Sequence, residues 1–217
     1  MRREAKQQSY IDWLKSMGCV FYAPMNGDSG LRDLISGTTG VIVSGSTATY
    51  DANEDCYFVK KAGSGYCAIE WHGLNMDLYN DPNDYVKFSY LMEHKTVQGR
   101  YNNCSQTMYP CLYNRGHAAN VGSQSHHLQL NVWYKRCVSY FRDGGHQTLL
   151  YCNGSLDWTT NYSSLRWSAL TTPQQGVEWQ NMGSYTTDYN NHRAYLRNLM
   201  IFNTNLSQAQ ILEIQNI

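Results

Sequence analysis

Carboxylates, histidines, cysteines and aromatic rings are the groups on this chain that could do chemistry. Cleavage of a glycosidic bond would need two carboxylates on one face of a strand, as in Glu-x-Asp-x-x-Glu, because alternate residues of a strand point the same way. No segment has that spacing. Glu54 and Asp55 are adjacent and would face opposite ways, while Glu70, Glu93, Glu178 and Glu213 stand alone. A Gly-x-Ser-x-Gly elbow, a phosphate-binding loop and a His-Glu-x-x-His helix are also absent. His126 and His127 are neighbours and cannot share a metal from one strand. His72, His94, His117, His146 and His192 are scattered. The histidines therefore read as surface and loop residues, and the chain points away from an enzyme.

The aromatic residues suggest recognition instead. Flat rings stack on the apolar faces of sugars, while amides and guanidinium groups bond hydroxyls. Tyr113, Arg115, Trp158 and Trp167 lie among polar residues and are expected to border one recognition surface, with Trp71 and Trp179 in reserve. The alternative for each ring is packing at the sandwich ends. Trp133 sits in an apolar strand and reads as core. The formal net charge is zero, the charged fraction is 16% and there are 18 tyrosines. That balance lacks the field that draws a protein to nucleic acid or an anionic membrane, and suits a neutral, hydroxyl-rich partner.

The seven cysteines are an odd number with no Cys-x-x-Cys or zinc spacing. Cys19, Cys137 and Cys152 occupy strand positions that suit small apolar residues, and Cys56 and Cys67 flank a candidate strand. The thiols are expected to be reduced, with Cys104 and Cys111 the best candidates for a disulfide.

The elements that position these groups are mostly strands. The central stretch runs from His127 to Trp158. Strand residues through Tyr140 and Phe141 lead to a turn at Asp143-Gly144-Gly145, and a second strand ends at the Asn153-Gly154 corner. Further strands are expected at 19–25, 40–43, 48–50, 56–59, 66–69, 85–92 and 195–202. Residues 70–84, 93–122 and 155–181 read as irregular. Residues 1–17 form an amphipathic helix, with Tyr10, Leu14 and Met17 on one face and Gly18 as its stop. Ser207 and Gln210 make a capping box for a helix over 207–217, with Leu206 and Ile211 as a hydrophobic staple and Leu212 and Ile214 on the buried face. No stretch reaches the roughly 18 apolar residues of a membrane span.

Trp133-Tyr134, Asp143-Gly144 and Leu150-Tyr151-Cys152-Asn153-Gly154 resemble the centre of laminin-G-like jelly rolls of the concanavalin A and pentraxin type. The early loop Asn26-Gly27-Asp28-Ser29-Gly30, the strand from Leu196 to Asn203 and the Leu206-Ser207 helix start are similar to the same family. The resemblance implies an all-β chain: an antiparallel two-sheet β-sandwich over residues 18–217, with a helix at each terminus. It also implies a calcium site whose early half would be Asn26, Asp28 and Asp33. In the late strand Arg197 and Asn198 stand where relatives carry acids, so calcium dependence is expected to be weak or absent. Arg197 could replace the ion by pairing with Asp28 or Asp33. The expected function is non-catalytic glycan recognition or adhesion without a cofactor. The alternative is a structural or assembly protein of a virion, such as a capsid decoration or tail component, docking to further copies through residues 2–17. The N-terminus is charged without an apolar core, so a cytoplasmic or virion-associated location is expected rather than a secreted one.

Overall fold

The computed structural model describes residues 2–60, 67–74, 87–98, 108–112, 129–142, 146–160, 176–181 and 193–216. The Asp143-Gly144-Gly145 turn and Cys104 lie outside them. The chain is an antiparallel β-sandwich with a helix near each end. Helix α1 (Arg2–Ser16) leads into β1 (Cys19–Ala23), and α2 (Gln208–Gln215) follows the last strand.

The large sheet has eight strands. Its order is β10 (Ser155–Thr160), β9 (His146–Cys152), β8 (Trp133–Arg142), β6 (Lys87–Gln98), β12 (Arg193–Phe202), β4 (Cys56–Lys60) and β3 (Thr47–Asp51), with β1 also paired to β12. The small sheet has the order β2 (Val41–Ile42), β5 (Cys67–His72), β11 (Gly176–Asn181) and β7 (Met108–Leu112). Three expectations are corrected here. β6 continues to Gln98, and β7 lies inside the stretch read as irregular. β10 and β11 likewise occupy parts of 155–181. β10, β11 and the end of β6 carry Thr159, Thr160, Gln180, Asn181, Thr96 and Gln98, which dilute the apolar alternation that marks a strand, and Pro110 interrupts the pattern of β7.

Strand alternation divides the large sheet into two faces. Its inner face packs on the small sheet: Phe21, Val59, Phe88, Tyr90, Met92, Val138, Leu196 and Ile201 meet Ala68, Ile69, Trp71 and Leu74. Its outer face is covered in part by the two helices. Ile11 and Leu14 of α1 and Ile211 and Ile214 of α2 cover Cys19, Tyr22, Leu91, Cys137, Tyr151, Met200 and Phe202. Each such aliphatic side chain contributes about 1.5–3 kcal/mol through burial. The apolar side of α1 thus faces its own sheet. Cys19, Cys56 and Cys137 are buried free thiols, and Cys152 is a half-buried one.

Local chemistry fixes both helix ends. Gly18, at φ +87°, stops α1 in the left-handed conformation that closes a helix, and its N–H donates to the Lys15 carbonyl at 2.9 Å. Ser207 caps α2 in a complete capping box with Gln210. Leu212, expected on the buried face, is 40% exposed. It rests instead on the Asn153-Gly154 corner, where a Cβ on Gly154 would lie 2.3 Å from its Cδ2. That corner has φ +49° and +79°, the paired positive angles of a tight hairpin turn.

Candidate functional site

Among the described residues the two helices cover only part of the outer face, and register brings a row of half-buried side chains together on the rest. Trp133 on β8 pairs with Lys95 on β6. Lys95 pairs with Tyr195 on β12, which pairs with Phe58 on β4. The next row places Lys135, Glu93 and Arg197 side by side. Alternation puts all of these opposite the core, because Cys137, Leu91 and Met200 on the same strands face the helices.

Ring and charge contacts bind the row into one unit. The Lys95 ammonium lies 4.4 Å from the Tyr195 ring centroid and 5.4 Å from that of Trp133. The Arg197 guanidinium lies 4.2 Å from the Trp133 centroid. Glu54 takes both of its nearest donors from this row, Lys95 Nζ at 2.6 Å and Trp133 Nε1 at 3.1 Å. Those hydrogen bonds, Lys95 first, hold the Glu54 carboxyl below its usual range. Arg197 Nε donates to Glu93 at 2.8 Å, and Asn198 Nδ2 donates to the other oxygen of Glu93 at 3.0 Å. Tyr195 donates its hydroxyl to Asp51 at 3.3 Å. Its phenol is pushed up by burial and then by Asp51, and stays protonated and able to donate. Asn198 sits at φ +52° where the β6–β12 register shifts, a bulge that re-aims its side chain.

Beside this row, between the helices and the sheet, lies a cleft of about 210 Å³. Leu91, Met200 and Ile214 form its apolar part and Tyr10 and Tyr22 its aromatic wall. Glu93, Lys135, Asn198 and Gln215 lie at its polar side. Glu93 therefore belongs to both cleft and row. The Tyr10 and Tyr22 rings meet edge to face at 5.7 Å, and burial raises the Tyr10 phenol to about 12.

Of the expected site residues, Trp71 falls in the core. Trp71 is fully buried, packs edge to face on Phe21 at 5.4 Å and donates Nε1 to the Leu31 carbonyl at 2.7 Å. It is a core residue, since β5 extends to His72 and alternation sends Ile69 and Trp71 inward. Conversely Trp133, read as core, is half-buried on the open face. Trp158 lies in the edge strand β10 opposite Leu150, and Trp179 in the small sheet opposite Ile69 and Pro110, so they share no sheet. Tyr113, Arg115 and Trp167 lie outside the described residues.

The early acidic loop is built for turns. Asp33 is buried, and its oxygens accept from the N–H groups of Tyr22 at 2.8 Å, Ile35 at 3.1 Å and Ser36 at 3.0 Å, and from the Ser36 hydroxyl. Asn26 Oδ1 accepts from the N–H and hydroxyl of Ser29 at 3.0 and 2.8 Å. Asp28 lies beside it in the loop. Asp33 and Asn26 thus spend their oxygens on the backbone and on serines, and no cluster of three potential acidic, histidine or cysteine metal ligands occurs among the described residues. Arg197 pairs with Glu93 rather than with Asp28 or Asp33.

No family model and no curated protein matches the chain. Solved structures do resemble it. A botulinum neurotoxin type G receptor binding domain is 14% identical with a TM-score of 0.57, over 92% of this chain and 51% of that one. The binding domain of Paraclostridial Mosquitocidal Protein 1 is 13% identical with a TM-score of 0.54, over 92% and 52%. A botulinum neurotoxin serotype D ligand binding domain in complex with N-acetylneuraminic acid is 13% identical with a TM-score of 0.57, over 94% and 52%. The chain thus spans about half the length of each. The shared feature is the β-sandwich fold, and the likeness does not single out the laminin-G-like type. The similar structures are named as binding domains rather than as enzymes.

Proposed function

We propose that the chain is a non-catalytic recognition module that binds glycan on the open face of its large sheet. The observation that carries this is the row Trp133, Lys95, Tyr195 and Phe58, in register across four strands and half-buried beside the helices. Rings supply apolar faces for a sugar ring. Lys95, Arg197, Glu54, Glu93 and Asp51 supply donors and acceptors for hydroxyls. Two cations against three carboxylates leave little net charge, which suits an uncharged partner. The names of the similar structures support a binding role. A glycan array probed with the wild-type chain and Trp133→Ala tests the reading. Array signals lost in the variant support it, and signals indifferent to Trp133 count against this face.

One observation favours the assembly reading. Val41 and Ile42, on the short edge strand β2, are 59% and 40% exposed. An apolar sheet edge invites pairing with another chain. Solution mass for the wild type and Ile42→Lys separates the two: an oligomer dispersed by the lysine would favour assembly, and a monomer in both would remove this support.

A further inference from the structure

We propose that the cleft between the N-terminal helix and the sheet is a separate, partly open subsite for one N-acetylated sugar residue. The inference rests on the glycan reading above and shares only Glu93 with it. A cleft of about 210 Å³ is smaller than the roughly 300 Å³ at which drug-sized pockets begin, and so fits one ring rather than a chain. Its two sides differ in chemistry. Leu91, Met200 and Ile214, each buried to within 4–6% exposure, leave a small apolar spot suited to one methyl group.

Gln215 supplies the second clue. Its Nε2 is buried and has no hydrogen-bond partner among the described residues. A buried donor without an acceptor costs about 1–3 kcal/mol, so it marks a place where an acceptor is missing. The last torsion of a glutamine is broad, and the amide can turn toward an acceptor that arrives in the cleft. An acetamido group meets both demands. Its carbonyl oxygen accepts from Gln215 Nε2, and its methyl covers the apolar spot. The Tyr10 and Tyr22 rings flank the sugar, and Glu93 on the polar side accepts from a ring hydroxyl. No bond is made or broken.

The test adds N-acetylglucosamine or glucose to the full chain and follows methyl signals of Leu91, Met200 and Ile214 by NMR. The expected result is that N-acetylglucosamine shifts these methyls and glucose binds roughly tenfold more weakly, the worth of one well-made hydrogen bond with its apolar contact. Gln215→Met keeps the side-chain length and the Gln215 carbonyl that Lys135 Nζ bonds, and should lose the preference. Equal response to both sugars, no response to either, or an undiminished preference in Gln215→Met overturns the proposal. The two readings fail separately. If array signals depend on Trp133 while the cleft methyls stay silent, only the cleft proposal falls. If the methyls respond while Trp133→Ala changes nothing on the array, only the open-face reading falls.

Discussion

Arg197 lies over the ring of Trp133, its guanidinium carbon 4.2 Å from the ring centroid, while its Nε is held by Glu93 at 2.8 Å. The carboxylate fixes the cation above the indole, so the ring is positioned from a strand that does not adjoin its own. A cation held on an aromatic face at a partly exposed site contributes about 0.5–1 kcal/mol. A double-mutant cycle over Arg197→Met and Trp133→Leu should therefore show a favourable coupling of that size in urea unfolding. A coupling indistinguishable from zero would show that the stack is incidental.

The two tryptophans that exchange roles should differ sharply in stability. Trp71→Ala removes a fully buried ring and one of the two donors to the Leu31 carbonyl, leaving only the Gly40 N–H. The expected loss is about 3–5 kcal/mol. Trp133→Ala, on a half-buried face, should cost less than half of that. Comparable losses in the two variants would contradict the assignment of Trp71 to the core and Trp133 to the surface.

Gly154 is the joint between the central hairpin and α2. A methyl there meets Leu212 at 2.3 Å and forces a side chain into φ +79°. Gly154→Ala should cost about 1–3 kcal/mol through strain alone. The double variant Gly154→Ala with Leu212→Ala should recover the part due to the clash. If the double variant is no better than the single one, backbone strain accounts for the whole loss.

How much of this was legible in the sequence varied with the range of the signal. The Asn153-Gly154 turn, the Gly18 stop and the Ser207–Gln210 box are written within four residues, and each is found where its chemistry puts it. The Cys19 and Cys137 positions were legible for the same reason. Trp71 and Trp133 were misassigned because polarity of neighbours is a poorer guide than phase. Ile69-Glu70-Trp71-His72 alternates, and that alternation places Trp71 beside Ile69. The open-face row was hidden because Trp133, Lys95, Tyr195 and Phe58 come together only through the register of four strands. The cleft needs α1 docked on the sheet, which no local pattern specifies.

Alkaline pH should destabilise the fold. Burial raises the Cys56 thiol from about 9 to about 11 and pushes Cys19 and Cys137 further up. Between about pH 9 and 11 the unfolded chain has lost these protons and the folded chain keeps them, so stability falls as pH rises through that window. It is at full strength below about 9. Urea midpoints at pH 8 and pH 10.5 should differ, with the higher pH less stable. Cys56→Ser, Cys19→Ala and Cys137→Ala combined should reduce that difference, the remainder coming from the Tyr10 and Tyr22 phenols that burial also raises, and an unchanged pH dependence would refute the thiol origin.

The most direct measurement of the central claim is calorimetric titration of the strongest glycan from an array into the wild type, Trp133→Ala and Tyr195→Ala, each with its melting temperature recorded. Anchor rings at the centre of a binding face typically carry about 2 kcal/mol or more, which is a Kd at least roughly tenfold weaker. The account predicts that loss in both variants, with melting temperatures showing that each remains folded. Wild-type affinity in two folded variants would contradict it, and would remove the open face of the large sheet as the binding surface.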